Sequence, residues 1–158
     1  MSRPFAPKRR KIERTHILTP SRSALRDGRV VMDDRPPKIS TARQRVYLAK
    51  AARVALRSSM THKHGCVIVH SDGTILYDGY NHHDLHLNHK FSIHAEIDAL
   101  FKAKRQKQRL TDCEMYVVRI GSPRINDGLK YSKPCACCAR EIEKCGIRKV
   151  YYSVNDKE

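Results

Sequence analysis

Two short motifs, far apart in the sequence, constrain this chain most strongly because their side chains suit one kind of metal ion. The first is His94-Ala95-Glu96, and the second is Pro134-Cys135-Ala136-Cys137-Cys138. Zinc prefers imidazole nitrogen and thiolate sulfur, and a site with three protein ligands keeps a fourth position for water. His94, Cys135 and Cys138 provide such a set. The fold must therefore bring the two motifs together.

The spacing within each motif indicates two helix N-termini that meet at the metal. Cys135 and Cys138 have the i, i+3 spacing of side chains on one helix face, and Pro134 is typical of the start of a helix. The helix N-terminus favours anions and therefore the ionised thiols. Glu96 lies close enough to His94 to exchange protons with a water molecule at the fourth position. This arrangement predicts a hydrolytic site.

Parts of the pattern have simpler interpretations when taken alone. Cys135 with Cys138 also fits a structural zinc half-site or a redox pair, and Glu96 alone fits a solvated carboxylate in a first helical turn. Cys137 could compete for the metal only by abandoning the two-residue spacing, so we expect a thiol that is buried or lies beside the ligands. The combination of the two motifs favours the catalytic interpretation.

The combination H-x-E and P-C-x-x-C resembles the signature of the zinc-dependent cytidine and deoxycytidylate deaminase superfamily. The resemblance extends loosely from about Val46 to Tyr152. It includes Gly79-Tyr80-Asn81, which is similar to a G-[YW]-N segment of the deoxycytidylate and tRNA adenosine deaminase branches. It implies an α/β fold of three layers, in which a mixed sheet has helices on both faces. The family's usual last helix and fifth strand have no counterpart in this sequence.

The same resemblance assigns roles to individual residues. It implies a Zn²⁺ cofactor held by His94, Cys135 and Cys138, with Glu96 as the catalytic acid and base. It further implies that Asn81 hydrogen-bonds the sugar or base of the substrate. The backbone and side chain of Ser132 are expected to line the pocket near the target amino group. The residue set for this interpretation is metal ligands His94, Cys135 and Cys138; catalytic Glu96; and substrate contacts Asn81 and Ser132.

The hydrophobic periodicity predicts the order of elements in the domain. A helix is expected over 41–58, a hairpin of strands at 66–70 and 75–80, a helix over 94–104, a strand at 115–120, a helix after Cys135 that ends at Gly146, and a strand at 149–153. The second helix is expected to repeat Ile97, Leu100 and Phe101 on its apolar face. Residues 121–131 are expected to form an insertion, a small hairpin or flap near the site.

The charge is concentrated at the N-terminus, and it predicts anionic partners. The chain of 158 residues carries 32 Lys and Arg against 16 Asp and Glu, a net charge of +16. Residues 1–45 hold 13 of these basic residues, 4 of the acidic ones and 5 of the 7 prolines. We therefore predict a basic, disordered tail over 1–45 and a deaminase domain over 46–158. Pro7-Lys8-Arg9-Arg10-Lys11 fits a nuclear import signal, a nucleic-acid-binding patch or simply a solvated basic segment.

Six cysteines without a secretory leader or membrane-spanning run indicate a reducing, intracellular location, in the nucleus or cytoplasm. His82, His83, His86 and His89 lie in a polar loop for which a surface role, a second metal site and phosphate contacts all remain open. The sequence indicates an enzyme that hydrolyses the C–N bond of cytosine-type nucleotides, with deoxycytidylate as the model substrate. The alternatives are an editing deaminase of tRNA or single-stranded DNA, and a silent zinc module that binds nucleic acid or a partner subunit. A homo-oligomer is expected from the resemblance, and no membrane contact.

Overall fold

The structure is a computed structural model, and it describes residues 15–18, 41–85, 91–122, 128–147 and 149–155. The basic segment Pro7 to Lys11, the loop histidines His86 and His89, and residues 123–127 of the insertion lie outside these residues. The elements in chain order are β1 Thr15–Leu18, α1 Ala42–Ala55, β2 Lys63–His70, β3 Ile75–Tyr80, β4 His82–His83, β5 Ser92–Ile93, α2 Ala95–Arg105, β6 Cys113–Ile120, β7 Leu129–Lys130, α3 Ala136–Lys144 and β8 Lys149–Ser153.

The larger sheet is mixed and has helices on both faces. Its strands follow the order β1-β8-β6-β2-β3, with β7 paired to β6, while β4 and β5 form a separate two-stranded sheet. Strands β6 and β8 are parallel, whereas β2 is antiparallel to both β3 and β6. Helix α1 packs on one face over one hydrophobic cluster, and α2 and α3 pack on the other face over a second cluster. The predicted α/β fold of three layers is therefore confirmed.

Two glycines let the helices approach the central strands closely. A Cβ on Gly65 of β2 would lie 2.1 Å from the Ala51 carbonyl oxygen of α1, and a Cβ on Gly79 of β3 would lie 2.2 Å from the Ala95 carbonyl oxygen of α2. No side chain fits into either gap. Gly79 therefore fixes the distance between the sheet and the helix that begins next to His94.

The helices largely follow the predicted pattern, with one difference on α2. Thr41 caps α1, since its hydroxyl accepts a hydrogen bond from the Gln44 backbone N–H at 3.3 Å. The buried face of α2 is formed by Ala95, Glu96, Ala99, Leu100 and Ala103. Phe101 is 46% exposed, so its predicted place on the apolar face is wrong. Small alanines occupy the contact with Gly79 because a bulky ring there would push the helix away from the sheet.

The N-terminal segment contains a strand where the sequence predicts a disordered tail. Strand β1 pairs antiparallel with β8, from Thr15 opposite Ser153 to Leu18 opposite Val150. Strand β1 therefore forms the edge of the larger sheet beside β8. This pairing covers the main-chain groups that an open edge at β8 would expose. Helix α1 begins at Ala42, as the predicted helix over 41–58 requires, so the tail predicted over 1–45 is too long at its C-terminal end. A four-residue strand is too short to reveal its period in the sequence.

Within the residues that the structure describes, no helix combines the length and apolar character needed to cross a membrane.

Candidate metal centre

The N-terminus of α2 presents His94 and Glu96 to a common site. His94 is the N-cap residue, with extended backbone angles of φ −74° and ψ 154°, and its side chain forms no capping hydrogen bond. The imidazole is therefore not used by the helix. Glu96 lies in the first turn, on the face buried against the sheet. This geometry fits the two predicted roles, with His94 as a metal ligand and Glu96 as a carboxyl group beside the metal.

The N-terminus of α3 presents the two cysteines. Cys135 is the N-cap residue, and its Sγ accepts a hydrogen bond from the Cys138 backbone N–H at 3.5 Å. This contact fixes Cys135 Sγ at the helix N-terminus, where the helix dipole favours a negatively charged ligand. Pro134 precedes the cap rather than occupying the first helical position. Cys138 is buried in the first turn, as its spacing from Cys135 predicts.

The three predicted ligands converge. The Nδ1 atom of His94 lies 3.7 Å from Cys135 Sγ and 3.3 Å from Cys138 Sγ, and all three donor atoms lie within 4.8 Å of one another. Tetrahedral zinc with bonds of about 2.0 Å to nitrogen and about 2.3 Å to sulfur separates its ligand atoms by about 3.5 to 3.8 Å. The donor set and its spacing therefore fit zinc. Among the described residues, only these three form such a metal-binding group.

Glu96 is a buried carboxyl group beside this donor set. Only 5% of the residue is exposed, and burial raises the pKa of its side chain, while its own backbone N–H and nearby His94 act in the opposite direction. Burial and the Glu96 carboxylate also raise the pKa of Cys138 well above its ordinary value. A bound metal cation opposes this effect on the thiol because it stabilises the thiolate. Glu96 is thus a buried carboxyl group with a raised pKa that lies beside the three metal ligands and is not one of them.

A cavity of about 320 Å³ opens next to these groups. Its described lining residues are His64, Asn81, Ser92, His94, Ala95, Glu96, Ser132, Lys133 and Cys135. The volume is at the lower end of the range for small-molecule sites. Two of the metal ligands, His94 and Cys135, therefore meet the buried carboxyl group and both predicted substrate contacts at one cavity.

Comparison with known families agrees with this geometry. The model of the "cytidine and deoxycytidylate deaminase zinc-binding region" matches residues 41–154. The chain belongs to this family. Zinc is accordingly the cofactor of the site, which its donor set independently fits. In the comparison with curated proteins, none matches the sequence.

Solved structures of deaminases share the fold at low sequence identity. The dCMP deaminase of the cyanophage S-TIM5 in apo form has a TM-score of 0.55 at 23% identity, over 72% of this chain and 84% of that chain. Its complex with dCMP and dUMP gives a TM-score of 0.54 at 23% identity, over 72% and 82%. A cytidine deaminase from Burkholderia pseudomallei gives a TM-score of 0.52 at 20% identity, over 68% and 78%.

Asn81 lines the deaminase cavity, but its amide is used largely to hold the neighbouring segment. Its Oδ1 accepts a hydrogen bond from the His64 backbone N–H at 2.7 Å, and its Nδ2 donates to the His62 carbonyl at 2.6 Å and to Met60 Sδ at 3.3 Å. Both amide hydrogens have acceptors. Asn81 therefore positions the wall that carries His62 and His64, and a direct contact with substrate remains a prediction.

Ser132 also borders the cavity, while its hydroxyl is directed to the sheet. The Oγ atom donates to the Val117 carbonyl at 2.9 Å and accepts from the Ser153 backbone N–H at 3.0 Å, and it lies 2.8 Å from Ser153 Oγ. These bonds join the segment before Pro134 to β6 and β8. The hydroxyl thus fixes the position of the cysteine motif, and the backbone N–H of Ser132 also bonds to the Ser153 carbonyl, at 3.0 Å. A contact between Ser132 and the substrate stays a prediction.

Sequence reasoning missed His64 as a cavity residue. It precedes Gly65, and burial lowers the pKa of its imidazole, while a hydrogen bond to the His62 carbonyl acts in the opposite direction. The alternation of side chains along β2 places His64 on the same face as buried Cys66, and this is the signal that could have identified it. The residue has no counterpart in the two motifs and therefore escaped notice.

The remaining predictions concern thiols and histidines around the site. Cys137 is exposed, with Arg140 Nη2 at 3.7 Å from its sulfur, so it lies beside the ligands and is not buried. His82 Nε2 lies 3.7 Å from Asp98 Oδ1, an ion pair when the imidazole is protonated. Within the described part of the chain, His82 and His83 belong to no second group of metal ligands.

Proposed function

We propose that this deaminase-family protein hydrolyses the amino group of cytosine-type nucleotides, with deoxycytidylate as the model substrate, and releases ammonia. The observation that carries the proposal is the buried Glu96 carboxyl group at a cavity that His94 and Cys135 also line, with Cys138 completing the group of three metal ligands. A structural zinc site has no use for a carboxyl group in this position, because burying it is unfavourable.

The chemistry requires proton transfers that Glu96 is placed to perform. His94, Cys135 and Cys138 hold zinc, which when bound brings the deprotonation of water close to neutral pH. Glu96 accepts one proton from the attacking water and delivers it to the ring nitrogen beside the amino-bearing carbon. A second proton from the same oxygen passes through Glu96 to the amino group, which leaves as ammonia. Burial raises the pKa of Glu96, and a raised pKa favours the protonated form from which these protons are delivered.

A mononucleotide is favoured by the size of the cavity and by the distribution of charge. A volume of about 320 Å³ accommodates a small ligand. More than half of the net charge of +16 lies in residues 1–45, so the domain itself is less basic than the whole chain. The dCMP deaminase that shares the fold supports the same substrate class by analogy.

A polynucleotide substrate is the second candidate, and the net charge of +16 is the observation that favours it. Aromatic residues make up only 6% of the chain, so stacking platforms for single strands are scarce. The two candidates differ in what they deaminate and in how strongly salt weakens binding.

Ammonia release separates these possibilities. The zinc-loaded protein is incubated with cytosine and adenine mononucleotides, with single-stranded oligonucleotides and with tRNA. Glu96→Gln serves as the inactive variant, and Glu143→Gln, which changes an exposed carboxylate of α3, is the matched control. We expect release from a cytosine mononucleotide by the wild type and by Glu143→Gln only.

Two other results would change the proposed substrate or overturn the proposed function. Release from polymers alone favours the editing enzyme. No release from any substrate, together with tight binding of polymers, identifies a silent zinc module and overturns the proposed function.

A further inference from the structure

A row of three basic residues crosses the sheet next to the cavity. In the ladder, His64 of β2 is opposite Arg119 of β6, which is opposite Lys130 of β7. Residues directly opposite each other in antiparallel strands project their side chains from the same face. His64 lines the cavity, so this row begins at the cavity and extends away from it.

Arg119 is a partly buried cation in the middle of this row. Its Nη2 lies 3.0 Å from His62 Nδ1, while its Nε is buried and has no hydrogen-bond partner among the described residues. Among the described residues, no carboxylate forms an ion pair with the Arg119 guanidinium either. A buried N–H without an acceptor is unfavourable, so Arg119 is poised to bind an acceptor that the described residues do not provide.

The histidines around Arg119 are held in place by the fold. Asn81 accepts from the His64 backbone N–H and donates to the His62 carbonyl, so one amide fixes both neighbours of the guanidinium. Ser153 Oγ accepts from the Arg119 backbone N–H at 3.1 Å, which fixes the strand at this point. The group is therefore preorganised, which lowers the entropic cost of binding an anion.

We propose that Arg119, together with His62 and His64, binds the phosphate of a nucleoside 5′-monophosphate whose base lies at the metal centre. A guanidinium presents paired N–H donors that match phosphate oxygens, and imidazole N–H groups add further donors. Among the described residues that line the cavity, Glu96 is the only carboxylate, and it lies at the metal end. One guanidinium with two imidazoles suits one phosphate, whereas a polymer needs a series of such contacts.

This inference rests on the proposed function and names the residues that would select a phosphorylated substrate over the free nucleoside. The test compares kcat/KM for deoxycytidine and for its 5′-monophosphate in the wild type, in Arg119→Gln and in Lys149→Gln. Lys149 is a half-exposed cation at the opposite end of the β6–β8 ladder, beside Glu114, so its substitution removes the same charge far from the row. We expect the wild type to prefer the monophosphate. Arg119→Gln should reduce the ratio of the two kcat/KM values by about 10- to 100-fold, chiefly through KM, and Lys149→Gln should leave it unchanged.

Equilibrium binding separates failure of this inference from failure of the proposed function. Titration of Glu96→Gln protein with deoxycytidine 5′-monophosphate, with deoxycytidine and with inorganic phosphate requires no turnover. Binding that depends on both the phosphate and Arg119 supports the phosphate site even if ammonia is never released. If the wild type does not distinguish the monophosphate from the nucleoside, or if Arg119→Gln keeps the preference, the inference is overturned while deamination stands.

Two further outcomes have clear meanings. Binding of oligonucleotides in strong preference to the monophosphate overturns the assignment to a single phosphate. If Arg119→Gln does not fold, Arg119→Lys keeps the charge but loses the paired donors. A folded Arg119→Lys protein with an unchanged preference for the monophosphate overturns the role of the guanidinium.

Discussion

The two faces of the central sheet use the same strands but are packed differently. On the α1 face, the rings of Tyr47, Tyr116 and Tyr151 contact in series, with centroids 5.2 Å apart in a tilted pair and 4.7 Å apart in a stacked pair. The hydroxyl groups of Tyr47 and Tyr116 donate to the Gly73 carbonyl at 2.7 Å and to Glu114 at 2.8 Å. This face combines large apolar contacts with hydrogen-bonded polar atoms.

The face that carries α2 and α3 packs smaller side chains against the sheet and contains the groups of the metal centre. Alanines of α2 pack at Gly79, and beyond them the buried Glu96 carboxyl group lies at the cavity beside the convergent metal ligands. Arg119 adds a buried N–H that lacks a partner among the described residues. We infer from this difference that the α1 face mainly stabilises the fold. The other face keeps buried polar groups, which are unfavourable for stability, where a metal and a substrate can bind.

The largest effect is expected when a metal-binding thiol is replaced, and the neighbouring thiol provides the control. Cys138→Ser removes a ligand and should weaken zinc binding by more than about 100-fold, because changes beyond the ligands already cost 10–100-fold. Cys137→Ser changes an exposed thiol one residue away and should leave zinc affinity unaltered. Zinc affinity is measured by competition with a chelator of known strength. Equal losses in both variants would show that Cys137 is a ligand and that the assigned set is wrong.

The two glycines provide a matched pair, one on each face. Gly65→Ala and Gly79→Ala each place a methyl group against a helix backbone, so each should lower the free energy of unfolding by about 1–3 kcal/mol. Only Gly79→Ala displaces the helix that begins next to His94, so only this variant should also weaken zinc binding. Chemical denaturation and zinc titration measure the two effects. Loss of zinc affinity in Gly65→Ala would contradict the division between the faces.

The metal centre could be predicted from sequence because ligand chemistry restricts both residue type and spacing. The two motifs identify His94, Cys135 and Cys138 from residue type and spacing alone. The structure places their donor atoms within 4.8 Å of one another. The order of helices and strands within the domain followed from periodicity in the same way. Local signals of this kind survive folding because each lies within one short segment.

What could not be predicted depends on pairing between distant segments. The row that contains Arg119 exists only through the register of β2, β6 and β7. Strand β1 pairs with residues near the other end of the chain, and the four residues show no period of their own. The hydroxyl of Ser132 is turned towards Ser153 by a contact that no local pattern encodes. Tertiary contacts decide these features.

A smaller effect is expected on the α1 face. Tyr116→Phe removes the hydrogen bond to Glu114 and should lower the free energy of unfolding by about 1 kcal/mol, with zinc affinity unchanged. Tyr77→Phe is the matched control, since the Tyr77 hydroxyl bonds to Gln106 in an exposed position, and the change should stay within about 0.5 kcal/mol. Urea denaturation measures both. A loss of zinc in Tyr116→Phe would show that the faces are coupled through β6.

The smallest effect concerns the contact between α2 and α3, which together carry the metal ligands. Glu141 of α3 bonds to Lys104 of α2 at 2.7 Å and to Lys144 at 2.8 Å, and these contacts lower its pKa from 4.5 to about 2. Since the folded-state pKa is depressed, the stabilisation is present above pH 4.5 and is lost as the pH falls towards 2. The stability difference between metal-free wild type and Glu141→Gln should shrink over that window. Thermal melting at a series of pH values tests this expectation. A difference that stays constant with pH would mean that Glu141 does not join the two helices through its charge, and that their packing alone positions the metal ligands.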